Sequence, residues 1–224
     1  MLLADRITLA RLVLAPLAVA AYLLLPVEGQ ACFWAAGWIC GAAEFSDWLD
    51  GKVARSRGEV SDFGKLADPF CDVFYRMLVF LALLLPAGGV GYAVTASEAA
   101  GLQQSVFVIG TAADGSAVLG AGLMPWLPVV LMVMREIVQG AIRAMCAAKG
   151  LVLAARWSGK AKAWMQGVAL ITAIGWPAVC FGREPWMLHV AAWGCWAAAL
   201  LSLASLAEYL WVNRVMLGSL ARRS

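Results

Sequence analysis

Charged residues and histidine are both scarce in this chain of 224 residues, and each shortage excludes a class of protein. Asp, Glu, Lys and Arg make up 14% of the residues, whereas hydrophobic residues make up 63%. A soluble domain has about 25% charged and about 45–50% apolar residues. The composition therefore excludes a soluble globular domain and a disordered chain. It indicates a polytopic membrane protein, and we expect one integral membrane domain over residues 1–224.

The sequence offers little support for a metal site with nitrogen or sulfur ligands, or for disulfide bonds. Histidine occurs once, as His189, and none of the six cysteines forms a Cys-x-x-Cys pair. Most of the cysteines lie within apolar runs, where a thiol behaves as a small hydrophobic side chain. We therefore expect free, buried cysteines and no metal or catalytic site built on histidine.

Six long hydrophobic runs predict six transmembrane helices, since about 20 apolar residues are needed to cross a bilayer. The runs cover residues 7–26, 30–48, 65–85, 124–146, 159–181 and 186–212. A connection rich in Gly, Ala and Ser, at about 87–124, separates the third run from the fourth. Its apolar part, residues 105–109, is too short to span a membrane. We predict an ordered external loop or interfacial segment there.

The basic residues predict the orientation of the six helices. With six spans, all of the 17 Lys and Arg residues except Arg183 fall on one side of the membrane. Loops rich in Lys and Arg remain in the cytoplasm. We therefore expect both termini on the cytoplasmic side.

Four aspartates at the junction of the second and third runs form an acidic constellation. Asp47 and Asp50 are three residues apart, and Asp68 and Asp72 are four apart, so each pair shares a helix face. Four clustered carboxylates repel one another. A solvated acidic face is the alternative, but ionisable residues bordering apolar spans are usually functional. Oxygen ligands select Mg²⁺, Mn²⁺ or Ca²⁺, and a pair of such ions serves phosphoryl chemistry.

The segment 47–72 resembles the signature of the CDP-alcohol phosphotransferase family, D-x2-D-G-x2-A-R-x8-G-x3-D-x3-D. The eight fixed positions are filled, with every spacing kept, by Asp47, Asp50, Gly51, Ala54, Arg55, Gly64, Asp68 and Asp72. The resemblance implies an all-α bundle of about six transmembrane helices that forms a homodimer. It also implies a transferase that acts on CDP-diacylglycerol in the bilayer, and we expect no nucleic-acid partner.

The resemblance also implies roles for the signature residues. The four aspartates would bind two Mg²⁺ or Mn²⁺ ions, and Asp72 would act as general base on the acceptor hydroxyl. That hydroxyl would attack the β-phosphorus, and CMP would leave. The residues that would seat the CDP group are Asp50, Gly51, Ala54, Arg55 and Gly64. Their chemistry agrees, because small residues leave room, arginine holds phosphate, and glycine allows a sharp turn into the third helix.

A second basic block, at residues 135–162, bears on the acceptor. Arg143 lies near the cytoplasmic side, and Lys160 and Lys162 stand at the predicted N-terminus of the fifth helix, where an anion is favoured. If they bind an anion, the acceptor alcohol carries a phosphate. Anchoring of the helix ends at the cytoplasmic surface is the alternative, and it stays open. Arg135 lies deep in an apolar run, so we expect it to pair with Glu136.

The same block is similar to that of one branch of the family, the bacterial phosphatidylglycerophosphate synthases. This similarity implies glycerol 3-phosphate as acceptor and a bacterial inner membrane as location, with the active site facing the cytoplasm. Other acceptors stay open, namely phosphatidylglycerol, as in a cardiolipin synthase, or inositol phosphate. A divalent-cation transporter and a non-catalytic membrane scaffold are alternatives from other classes.

Overall fold

The helices of the protein follow the predicted hydrophobic runs. The computed structural model describes residues 3–27, 30–57, 62–89, 92–93, 101–148, 157–179 and 185–214. This part of the chain contains six α-helices, as predicted. They are α1 (Leu3–Leu24), α2 (Ala31–Arg57), α3 (Asp62–Ala82), α4 (Trp126–Ala148), α5 (Trp157–Val179) and α6 (Pro185–Val212).

The two helices that carry the signature extend beyond their apolar runs. The second run was expected to end at Trp48, but α2 continues to Arg57. Helical hydrogen bonds need no apolar side chains, and Ala, Lys and Arg in the extension favour a helix. Since α3 begins at Asp62, Gly64 lies inside its first turn. Gly64, expected to allow a sharp entry into a helix that begins at about residue 65, is therefore the third residue of the observed helix.

A small antiparallel sheet lies between α3 and α4, so the all-α prediction needs correction. Its strands are β1 (Tyr92–Ala93), β2 (Gln104–Thr111) and β3 (Ala117–Pro125), in the order β1-β3-β2. The predicted ordered segment at 105–109 lies within β2. Valine, isoleucine and phenylalanine favour a pleated strand, which explains why this run forms one.

The turn between β2 and β3 is closed by its own polar groups. Gly115 adopts a φ of 84°, which a residue without Cβ accepts readily. The backbone N–H and the hydroxyl of Ser116 both donate hydrogen bonds to the carboxylate of Asp114. These hydrogen bonds lower the pKa of the exposed Asp114 carboxyl below its usual value.

Strand β3 approaches the end of α3 so closely that one position admits only glycine. A Cβ atom at Gly122 would collide with the backbone carbonyl of Leu84. Two residues further along the strand, the backbone N–H of Met124 donates to the carbonyl of Leu83 over 3.1 Å. The sheet is therefore fastened to the end of α3 that lies away from the aspartates.

Helix α1 packs against both signature helices, and this placement positions the site. It contacts α2 and α3, while α5 lies between α2 and α6. Many buried core positions are alanine, which lets helix backbones approach one another in lipid; they include Ala15, Ala18, Ala36, Ala43, Ala169, Ala173, Ala198 and Ala199. Five of the cysteines are free and buried, as predicted, and Cys180 lies outside the described residues.

The helical surface is strongly apolar. Within the described ranges, two segments are long and apolar enough to cross a membrane, Asp5–Leu24 in α1 and His189–Val212 in α6. Large apolar side chains point outward on several helices, among them Trp38, Trp164 and Trp193, each about 70% exposed. A continuous apolar exterior of this kind fits a protein surrounded by lipid.

Gly122→Ala is expected to lower the apparent Tm in detergent, because the added methyl group must push β3 away from α3. Overpacking at such a contact costs about 1–3 kcal/mol. The matched control is Gly110→Ala, since a Cβ at Gly110 on β2 meets no atom within 4 Å. Equal Tm values for the two variants would contradict the close contact between sheet and helix.

Candidate active site

Three of the four signature aspartates converge on one buried cation, the guanidinium of Arg11. Arg11 Nη1 donates to Asp47 Oδ1 over 2.7 Å, and Nη2 donates to Asp68 Oδ1 over 2.5 Å. Asp72 Oδ1 lies 3.6 Å from Nη1. The carboxylates come from α2 and α3, and the guanidinium comes from α1. The fold therefore brings side chains from three helices to one point.

The site has a buried side and an open side. The side chain of Arg11 is 1% exposed, whereas those of Asp47, Asp68 and Asp72 are 41%, 50% and 28% exposed. Arg11 thus lies beneath the carboxylates, and solvent reaches them from the other side. An ion or a phosphorylated substrate has access to the carboxylates without displacing a helix.

The sequence interpretation did not place Arg11 in this site. The available signal was an arginine within an apolar run, one turn after Thr8 on the same helix face. Both residues are buried in the structure, with Thr8 at 3% exposure. A buried arginine in an apolar helix demands a charged partner. Its partners could not be identified without the packing of α1 on α2 and α3.

The remaining signature positions lie on the same two helices. Asp50, Gly51, Ala54 and Arg55 belong to α2, and Gly64 belongs to α3. Their side chains lie outside the described part of the structure. The backbone places Asp50 one helical turn after Asp47, and so at the same end of α2.

The donor set fits a hard divalent cation in its chemistry. Asp47, Asp68 and Asp72 offer only carboxylate oxygens, which Mg²⁺ and Mn²⁺ prefer. All three already face one cationic group. Among the described side chains, no group of three or more acids, cysteines or histidines lies close enough together to hold one metal ion. An ion would therefore compete with Arg11 for these oxygens.

A second arginine lies beside the same cluster. Arg76 follows Asp72 by one turn of α3, and its Nη2 lies 3.4 Å from Asp72 Oδ1 and 3.3 Å from Glu44 Oε2. Its Nη1 donates to the backbone carbonyl of Ala163 on α5 over 3.1 Å. Neither Arg76 nor Glu44 was among the predicted site residues. The spacing of four residues between Asp72 and Arg76 was the signal that pointed to this pair.

A third polar cluster joins α4, α5 and α6. Arg135 Nη1 pairs with Glu136 over 2.9 Å, which confirms the predicted ion pair. Glu136 also accepts a hydrogen bond from Lys162 Nζ over 2.5 Å. Arg135 further donates to the carbonyl of Ser202 and the hydroxyl of Ser205 on α6. One carboxylate is therefore shared by two buried cations.

The three predicted acceptor-binding residues lie in different surroundings. Lys162 is buried and paired with Glu136. Lys160 and Arg143 are exposed, and Arg143 lies next to Tyr209 of α6. Both lysines fall within the first turns of α5, as predicted. Solvent therefore reaches Lys160 and Arg143 more readily than Lys162.

Comparison with known proteins identifies relatives over most of the chain. A family model described as CDP-alcohol phosphatidyltransferase matches residues 1–204. A probable phosphatidylglycerophosphate synthase of Mycobacterium tuberculosis is 28% identical over 202 residues, which cover 89% of this chain and 75% of that protein. Proteins of Shigella flexneri serotype 5b and Escherichia coli K12, each named CDP-diacylglycerol–glycerol-3-phosphate 3-phosphatidyltransferase, are 30% and 29% identical over 206 residues. Those alignments cover 91% of this chain and 90% of each relative.

Arg11→Met is expected to destabilise the metal-free protein, since it leaves three neighbouring carboxylates without their buried cation. Because solvent screens those partly exposed carboxylates, we expect a loss of no more than about 1.5–3 kcal/mol, the range for a single hydrogen bond to a charged group. Mg²⁺ should recover part of that loss by taking over the carboxylates. Thermal unfolding in detergent, with EDTA or with Mg²⁺, measures both effects.

The control for this experiment is Arg214→Met. Arg214 is exposed, and its guanidinium lies over the ring of Trp211, 4.2 Å from the ring centroid. It should change the Tm little, and equally in both buffers. An Arg11→Met variant with the stability of the wild type in EDTA would show that these ion pairs contribute nothing.

Proposed function

The chain belongs to the CDP-alcohol phosphatidyltransferase family, and we propose that it transfers the phosphatidyl group of CDP-diacylglycerol to glycerol 3-phosphate. The products would be phosphatidylglycerol phosphate and CMP, in phospholipid biosynthesis. The observation that carries the proposal is the convergence of Asp47, Asp68 and Asp72 on one buried cation, with the three carboxylates themselves partly exposed to solvent. The names of the relatives support the choice of acceptor. Membership of an enzyme family sets aside the transporter and the scaffold.

On the donor side, the signature residues would bind the CDP end of the lipid. We assign Asp47, Asp50, Asp68 and Asp72 to hold two Mg²⁺ or Mn²⁺ ions. When bound, such ions neutralise the pyrophosphate and the negative charge that develops on it. The residues assigned to seat the CDP group are Asp50, Gly51, Ala54, Arg55 and Gly64. Arg55 would hold a phosphate through paired hydrogen bonds.

Asp72 is the residue that we assign as general base. Its carboxylate is the least exposed of the three signature aspartates whose side chains are described, and it lies between Arg11 and Arg76. It would accept the proton of the acceptor hydroxyl. The hydroxyl oxygen would form a bond to the β-phosphorus, the bond from that phosphorus to the bridging oxygen would break, and CMP would leave with the electron pair.

On the acceptor side, the clustered cations favour a phosphorylated alcohol. Arg135 and Lys162 share the single carboxylate of Glu136, so this buried cluster holds one more positive than negative charge. Lys160 and Arg143 add two exposed cations near it. We assign Arg143, Lys160 and Lys162 to the phosphate of glycerol 3-phosphate, with Lys162 held by Glu136 until the anion arrives.

We place the enzyme in a bacterial inner membrane as a single domain of six transmembrane helices and as a homodimer. The two apolar helices and the outward tryptophans support the membrane location. The distribution of Lys and Arg supports cytoplasmic termini and a cytoplasmic active site. The homodimer rests on the family resemblance alone, and light scattering of the detergent-solubilised protein tests it.

Release of CMP from CDP-diacylglycerol is the experiment that tests the proposed function. Purified protein with Mg²⁺ is expected to release CMP in the presence of glycerol 3-phosphate, and EDTA is expected to stop the reaction. Asp72→Asn should lower turnover by about 10²–10⁴-fold, the usual contribution of a general base. Asp114→Asn is the matched control with wild-type activity, because Asp114 lies in an exposed hairpin turn.

The acceptor and the metal requirement have separate contradicting outcomes. CMP release only with phosphatidylglycerol or inositol phosphate would replace the acceptor and leave the reaction class intact. Full CMP release in metal-free buffer would overturn the two-metal assignment.

Lys160→Ala and Arg143→Ala are expected to raise the KM for glycerol 3-phosphate by roughly 10–100-fold each. A charge-assisted hydrogen bond contributes about 1.5–3 kcal/mol, and 1.4 kcal/mol corresponds to tenfold. The KM for CDP-diacylglycerol should change by less than about twofold, with Arg214→Ala as the control. Parallel increases in both KM values would show that these cations hold the donor or the fold.

A further inference from the structure

Arg76 is a buried arginine with three different kinds of partner. Its side chain is 8% exposed, and it contacts an aspartate of the signature, a glutamate of α2 and a backbone carbonyl of α5. The two Nη atoms divide these partners, since Nη2 faces Asp72 and Glu44 and Nη1 faces Ala163. A planar guanidinium makes such directed contacts on two sides, whereas a lysine provides one point charge.

The contact with α5 is the unusual one. A helical carbonyl already accepts a hydrogen bond within its helix, but its oxygen has a second lone pair. Arg76 donates to that oxygen at Ala163 over 3.1 Å, and a hydrogen bond from a charged donor is stronger than a neutral one. It therefore fixes the position of the first turns of α5 relative to α3.

Ala163 stands directly after Lys162, which we assign to the acceptor phosphate. Asp72, at the other side of the same guanidinium, is the assigned base. One side chain therefore connects the group that would take the proton with the helix that would hold the acceptor. The third partner is Glu44 on α2, whose Oε2 lies 3.3 Å from Arg76 Nη2.

We propose that Arg76 is a positioning residue that sets the place of the acceptor-binding turn of α5 relative to Asp72. This inference rests on the proposed function. Arg76 acts through Asp72 and Ala163 and touches neither substrate. A shift of reacting groups by about 1 Å can reduce a rate by on the order of 10²-fold. We call the link that Arg76 makes between Asp72 and Ala163 the bridge. Its loss should slow turnover without weakening the binding of the donor or of the metal ions.

Arg76→Lys and Arg76→Met separate the charge from the bridge. Lysine keeps a cation beside Asp72 and Glu44 but has no second arm for Ala163. We expect Arg76→Lys to lower kcat by about 10–100-fold and to raise the KM for glycerol 3-phosphate, with the KM for CDP-diacylglycerol within about twofold of wild type. Arg76→Met should lower kcat at least as far. Arg214→Met is the control with unchanged kinetics.

Binding of Mn²⁺, followed by electron paramagnetic resonance, gives a readout that needs no turnover. Arg76→Met removes a positive charge next to Asp72, so Mn²⁺ should bind several-fold more tightly while activity falls. A purely structural role predicts instead that Mn²⁺ affinity, Tm and activity all fall together. Arg76→Lys should bind Mn²⁺ like the wild type, and this variant keeps the test open if Arg76→Met does not fold.

The position of α5 is measured directly with a nitroxide at Trp164→Cys, an exposed site next to Ala163. The distance from bound Mn²⁺ to this label should shift or broaden in Arg76→Lys, relative to the labelled protein with Arg76 intact. A sample without Trp164→Cys controls for labelling of other cysteines. This measurement is independent of which alcohol the enzyme accepts.

The outcomes distinguish this inference from the proposed function. A wild type that ignores glycerol 3-phosphate overturns the acceptor assignment, whereas an altered Mn²⁺–nitroxide distance still supports the bridge. An unchanged distance in Arg76→Lys overturns the positioning role. A large increase in the KM for CDP-diacylglycerol, with kcat kept, would make Arg76 a donor ligand and would also overturn it.

Discussion

Like charges gathered at the end of apolar helices are the constraint on which the rest of this structure depends. Four described carboxylates, those of Glu44, Asp47, Asp68 and Asp72, lie close enough to share cations. Carboxylates at such distances raise one another's energy unless cations balance them. Arg11 and Arg76 supply that balance from inside the bundle. The two arginines leave the cluster with more negative than positive charge, which is the state that attracts further cations.

The acceptor side has the opposite imbalance. Around Glu136, two buried cations share one carboxylate, and further cations stand at the surface. The aspartate cluster thus carries an excess of negative charge, and the cluster around Glu136 carries an excess of positive charge. The transfer proposed above would use both charge imbalances. Arg76 lies between the two clusters and contacts residues of both α3 and α5, so it couples their geometry.

The spacing of residues along the chain predicted the helices and which side chains share a face of one helix. The contacts between side chains of different helices depend on packing, which the spacing does not show. The hydrophobic runs predicted all six described helices, and the spacing of Asp68 and Asp72 placed two carboxylates on one face. Neither the hydrophobic runs nor the spacing shows which face of α1 packs against α2 and α3, so the partners of Arg11 could not be predicted. The same limit applies to Lys162, whose partner lies on another helix. The strands at 104–125 were missed because their apolar run was judged by length against a membrane span, although its residue types favour a strand.

The order of the helices along the chain gives the placement of Arg11 a consequence for biosynthesis. Helix α1 is made before α2 and α3, so Arg11 is synthesised before any of its three aspartates exists. A charged side chain in an apolar helix is costly in lipid until it finds a partner. The signature helices are then synthesised after the cation that balances their carboxylates. The ion pairs of Arg11 can therefore all form only once the first turns of α3 have been made, and a chain that stops before Asp72 leaves this arginine short of its partners.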